Sequence, residues 1–203
     1  MPERLLRFAS LTTARGWLNH PVSHQLVDHY IALRQQAGGL PAKSAIEPGR
    51  LKACLPHMVV MDCDIPAEPH YRLAGEAYIQ LLGTNPTGRP YLDFVPKERH
   101  ASASAAYVAC MTHDCGMLTR LITTNRFGHE VVCEVVNLPV SDDAAPGRPR
   151  YLYVTLVPEG EAGWDMQETG FSQYREVRER AFVDLGSGVP LQFVGRTVEP
   201  AAV

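Results

Sequence analysis

YRLAGEAYIQLLGTNPTGRPYLDFVP, residues 71–96, runs from a strand-like alternation through a short helix into a loop, and that order decides the fold. Tyr71 and Leu73 alternate with His70 and Arg72, a period of two that marks a strand over 69–75. Residues 75–83 then form a short helix bracketed by Gly75 and Gly83. Residues 85–96 carry too many prolines and glycines for a regular element, so the chain loops there across its own face. Gly75, Gly83 and Gly88 permit positive φ or a close approach of backbones, and Asp93 can brace the loop through its side chain. These residues read as scaffold.

Upstream, HMVVMDCD (57–64) is a strand joined to 69–75 by a turn at Pro66. Downstream, 97–114 is an Ala-rich helix with Ala103, Tyr107, Cys110, Met111 and Asp114 along one side. Three further strands follow over 116–128, 129–140 and 150–160, the last reached through the polar loop 141–149. The expectation is an α+β fold with a five-stranded antiparallel sheet and helices on one face. Before it, prolines at 41, 48 and 56 leave 40–56 as a connector with a short helical turn. From Pro21, Leu26, Tyr30, Leu33 and Ala37 recur at helical spacing until Gly38 and Gly39 close an amphipathic helix. The first twenty residues read as an arm or short helix. The tail holds a charged helix over 171–185, with Arg175, Arg178 and Arg180 against Glu176 and Glu179, then a strand-like LQFVG at 191–195. The expected organisation is an arm and helix (1–39), a sheet domain (40–160) and an extension (161–203).

This element order resembles the PAS fold. Gly88-Arg89-Pro90-Tyr91-Leu92-Asp93, followed by Phe94, looks like the PAS G-x-x-x-x-D-hydrophobic core that precedes the long helix. Leu40-Pro41, Ile46-Glu47-Pro48 and Leu55-Pro56 resemble more narrowly a family of stand-alone bacterial PAS proteins common in alphaproteobacteria. The resemblance implies a sensory role and an apolar cavity between a curved sheet and its helices. Candidate lining residues are Tyr71, Leu73, Phe94, Tyr107, Met111, Cys133 and Val135, since aromatic and Met side chains with polar tips suit small-ligand pockets. The alternative is that they pack as ordinary core.

Charge narrows the partners. With 19 basic and 22 acidic side chains well mixed over 203 residues, the chain has no basic stripe for a nucleic acid backbone. No apolar run nears the ~20 residues that cross a bilayer, and MPERLLRFAS lacks a signal peptide's apolar core. A cytoplasmic protein without membrane insertion is expected. Its five cysteines are odd in number and scattered, as reduced thiols are.

Cofactor and catalytic signatures are sparse. LOV-type flavin photochemistry, on resemblance, needs a reactive cysteine before the long helix, where this chain has Arg89, Pro90 and Tyr91. The same resemblance implies that a haem ligand would come from the long helix or its neighbourhood, where His100 and His113 lie, but helical histidines more often serve hydrogen bonding. Cys110-x-x-His113-x-Cys115, completed by Cys63 or His129, has zinc-type donors without paired knuckles and reads as small buried hydrophobes. No nucleophile elbow, phosphate loop, dinucleotide fingerprint or HExxH occurs. Glu130 and Glu134 share a strand face, fit for acid and base roles or simply solvated. No cofactor, metal or catalytic residue is assigned.

The resulting expectation is a non-enzymatic sensory module for bacterial signal transduction, binding an unknown small ligand or a signalling protein and relaying through flanking helices. The apolar stripe of residues 23–37 is expected to be covered by homodimerisation. The alternatives are a small-molecule enzyme on a cone-shaped α+β fold, which would use a buried carboxylate or histidine, and a haem or metal redox sensor.

Overall fold

The computed structural model describes residues 3–124, 129–159 and 176–190, together with the backbone of 196–198. In chain order the elements are β1 (Arg4–Phe8), α1 (Leu11–Arg15), α2 (Pro21–Ala37), β2 (Met58–Asp62), β3 (His70–Ala74), α3 (Glu76–Leu82), α4 (His100–His113), β4 (Gly116–Thr124), β5 (Glu130–Asp142), β6 (Ala145–Pro158), β7 (Glu176–Val183) and β8 (Arg196–Val198). Short 3-10 turns fill the proline-rich connector, at Lys43–Ala45, Pro48–Leu51 and Leu55–His57.

The sheet order is β3-β2-β6-β5-β4-β7-β1-β8. The five expected strands form the contiguous antiparallel part, β3 to β4. The eight-stranded sheet extends past β4 because β7 pairs antiparallel with it and β1 then pairs parallel with both β7 and β8. Two expectations are thereby corrected. The sheet is larger than five strands and mixed, and 176–183 is a strand where a charged helix was predicted. The alternating charges of that segment suit helical i,i+4 pairs, but Val177, Ala181, Phe182 and Val183 find an open β4 edge, and ladder bonding there overrides local propensity. Residues 171–175 of the predicted helix and the strand-like 191–195 lie outside the described residues. The first twenty residues, expected as an arm or helix, supply β1 as well as α1.

Helices cover both faces of the sheet, not one. Odd-numbered residues of β4 and β5, such as Met117, Leu121, Cys133 and Val135, face α3 and α4 in one core; Leu118, Val136, Leu138 and Val140 face α1 and α2 in another. Pro21 begins α2, the Nδ1 of His20 accepts the Val22 N–H at 3.1 Å, and Gly38 ends the helix with φ 65°. Its stripe Val22, Leu26, Val27 and Tyr30 is buried against the sheet, each side chain contributing on the order of 1.5–3 kcal/mol, and Leu33 is buried as well. Tyr30 Oη donates to the Pro139 carbonyl at 2.5 Å, and Arg34 donates to the Leu185 carbonyl. The stripe is therefore covered within the chain, which removes the reason to expect a second copy on it.

Glu134 lies on this second face and is 0% exposed, whereas a solvated face was expected. It accepts the Asn19 N–H at 2.7 Å and the His20 N–H at 3.3 Å, holding the turn that starts α2. Arg120, its cross-strand neighbour, stacks 3.8 Å from the Trp17 ring centroid and pairs with Glu159 at 3.0 Å. The β5–β6 hairpin also carries strand pairing further into the expected loop 141–149, to Asp142 and from Ala145.

Candidate ligand site between the sheet and the long helix

A cavity of about 50 Å³ lies where the sheet faces α4. Strand alternation builds its floor: Val59 and Met61 from β2, Met117, Thr119 and Leu121 from β4, Val135 and Asn137 from β5, Val154 and Leu156 from β6. Ala103, Ala106 and Tyr107 on α4 form the roof, their small side chains leaving the space open. Val177 and Arg180 enter from β7 on the same face although three residues apart, because the β4–β7 register slips by one residue at Arg120 and Leu121.

Four tyrosines wall one side. Tyr71 and Tyr78 share a hydroxyl contact of 3.2 Å, and Tyr91 stacks near Tyr107 with ring centroids 4.5 Å apart. Burial raises the Tyr91 and Tyr107 phenols, so both stay neutral hydrogen-bonding groups. Phe94 packs edge-on against Tyr71 at 5.4 Å and holds it from behind. Arg99 stands at the start of α4, and Arg180 is 4% exposed, with Nη1 donating to the Ser102 carbonyl at 3.3 Å and Nε 3.0 Å from Glu3 Oε1.

Of the residues expected to line a cavity, Tyr71, Tyr107 and Val135 do. Phe94 and Cys133 are buried in the same core without lining it. Met111 instead borders a second cavity of about 250 Å³ beside the β5–β6 hairpin. On the wall of that larger space Arg150 lies 2.8 Å from Asp62 and 2.6 Å from Asp64, Asp142 accepts from Tyr151 at 2.6 Å, and Arg148 adds a further charge. Leu73 is 60% exposed and is corrected. A bulge shifts the β2–β3 register between Val60 and Met61, pairing Tyr71 with Met61 but Leu73 with Val60, so the two residues face opposite sides. The missed lining residues include Tyr78, Tyr91, Arg99 and Arg180. Tyr78 was legible as an aromatic on a helix flanked by glycines; Arg180 was hidden by the helical reading of its segment.

The histidines considered for haem lie off the cavity. His100 Nε2 is 2.9 Å from the Val95 carbonyl, and neither His100 nor His113 lines the space. Among the described residues, no group of three or more His, Cys, Asp or Glu is arranged to hold a metal. All five cysteines are free and buried, and burial pushes the Cys54 thiol up to about 11.

A family profile described as PAS domain matches residues 18–151. The chain belongs to the PAS domain family. Among solved structures, the PAS chain is similar to a Rhodobacter sphaeroides LOV protein at 16% identity, over 52% of this chain and 60% of that one, with a TM-score of 0.42. It is similar to the Aureochrome1 LOV blue-light photoreceptor in its dark structure at 14% identity, over 55% and 81%, with a TM-score of 0.41. A third, an RNA-binding light-oxygen-voltage receptor, shares 20% identity over 61% and 36%, with a TM-score of 0.44. The match thus spans less than two thirds of the first of these proteins. No curated protein sequence matches. The cavity of this PAS domain measures about 50 Å³, and no cysteine, the residue that LOV-type adduct chemistry needs, lines it. No helix among the described residues is long and apolar enough to cross a membrane.

Proposed function

We propose that this PAS domain is a non-enzymatic sensory module that binds a small ligand in the tyrosine-walled cavity and passes the change to another protein or a second copy. The observation that carries the reading is the cavity itself, apolar over most of its floor yet ringed by tyrosine hydroxyls, Asn137 and the buried Arg180. Its walls come from α4 and from β7, and β7 is bonded to β1, so a ligand that favours one packing shifts both chain ends together. A non-enzymatic role is supported by the acids: among the described residues no carboxylate lines the cavity, Asp93 is exposed and paired with Arg89 at 3.1 Å, and Glu134 is spent on the opposite face. A haem sensor finds no support in a space this small.

Native mass spectrometry of the full chain tests this. The wild type is expected to retain a small additional mass that Ala106→Val, with its added methyl groups in the cavity, loses. Identical spectra for the two proteins count against the reading.

A further inference from the structure

We propose that the cavity takes a small organic acid, its carboxylate between Arg180 and Arg99, and that Glu3 is the tethered carboxylate which this ligand displaces. The inference rests on the sensor reading above and names the ligand class. Two guanidinium groups and no carboxylate line the cavity among the described residues, while Glu3 and Glu176 act on Arg99 from outside that lining. Arg180 is inside the fold, and a buried charge demands a partner.

Glu3 supplies that partner imperfectly. Its Oε1 comes within 3.0 Å of Arg180 Nε, yet both atoms are buried and neither makes a hydrogen bond, so the two charges are close but misaligned. A free carboxylate in the cavity is not tied to a strand and can take the planar, two-point geometry that arginine prefers. Arg99 stands on the same wall: burial lowers it from its ordinary value, Tyr91, Glu3 and Glu176 oppose that shift, and Arg180 reinforces it. The rest of the wall sets the body of the ligand. Val177, Met117 and Ala103 are apolar, and a volume of about 50 Å³ accommodates a few heavy atoms, against the 10–15 Å³ that one water needs. A short carboxylate fits this division; a phosphate ester places charged oxygens against the apolar floor.

Displacement gives the ligand a mechanical consequence. Glu3 immediately precedes β1, and Arg4 at the start of β1 is held on β7 by a 2.8 Å pair with Glu179. Freeing Glu3 loosens the end of β1 while the ligand holds β7. Ligand and Glu3 compete for one cation, so removing the Glu3 charge must tighten the ligand by the same coupling.

Propionate and its neutral isostere propionamide, titrated into the full chain with the melting temperature followed, test the proposal. Propionate is expected to raise the melting temperature saturably and propionamide to have no effect. Glu3→Gln is expected to lower the apparent Kd about fivefold or more, and Arg99→Gln, at a half-buried position, to weaken it at least as much. Arg180→Gln is expected to abolish binding; should it fail to fold, Arg99→Gln carries the same test. An equal response to propionamide, or an unchanged Kd in Glu3→Gln, overturns the proposal. No response to propionate also overturns it. In that case a neutral compound retained in the native mass spectrum leaves the sensor reading standing, and the absence of any retained compound removes both.

Discussion

At Gly75 a side chain has nowhere to go. A Cβ there would lie 2.1 Å from the Leu55 carbonyl oxygen and 2.4 Å from that of Pro56, both backbone atoms, and the Gly75 N–H is committed to the Met58 carbonyl at 2.8 Å. Gly75→Ala is therefore expected to cost about 3 kcal/mol or more, read from the urea midpoint at unchanged slope. Glu134 is decisive in a different way, since its carboxylate satisfies two backbone N–H groups under α2. Glu134→Ala leaves them and Arg120 without that acceptor and is expected to cost about 3–5 kcal/mol, with Glu134→Gln retaining a good part of the difference. Thermal melts of the two variants side by side check the order. The importance of Gly75 was legible in residues 71–96; that of Glu134 was not, because strand alternation separates two faces without saying what covers the second.

Among the elements, α2 carries a pH dependence. Burial lowers both His20 and His57, whose rings are 6.4 Å apart; for His20 the Glu134 carboxylate opposes the shift and His24 adds to it, and for His57 the neighbouring His20 adds to it. The fold thus favours the neutral imidazoles, and His20 needs an unprotonated Nδ1 to accept the Val22 N–H. Stability from these groups is complete above the ordinary histidine pKa of about 6.5 and is lost as pH falls through their depressed folded values. The melting temperature is expected to drop between pH 7 and pH 5, and His20→Asn, a cap that does not titrate, to reduce that drop. A drop of the same size in the variant would place the effect elsewhere. Strand elements show where periodicity misleads: one bulge turned Leu73 outward beside an inward Tyr71, and another put Val177 and Arg180 on one face.

For the whole molecule, the chain ends are structural. β1 lies between β7 and β8, and α1 and α2 cover a face bearing Leu118, Val136, Leu138, Val140 and Val157. A segment limited to residues 40–160, the domain expected from sequence, is predicted to expose that apolar face and associate or unfold. Light scattering and urea unfolding of the segment against the full chain measure this; a monomeric segment of equal stability contradicts it. The same integration ties Glu3, at one end of the chain, to Arg180, near the other.

The sequence by itself determined the strand–strand–helix–helix–three-strand order and the position of the long helix, because turns at glycine and proline and the periods of two and 3.6 are local properties, and the resemblance carried by residues 71–96 pointed to the family. It also placed Tyr71, Tyr107 and Val135 at the cavity. Only the tertiary structure decided that the sheet continues through β7, β1 and β8, that the second face is dry, and that two arginines reach a cavity. Those outcomes depend on an open β4 edge, on register shifts of one residue and on contacts between distant segments, and none of these leaves a mark in the spacing of nearby residues.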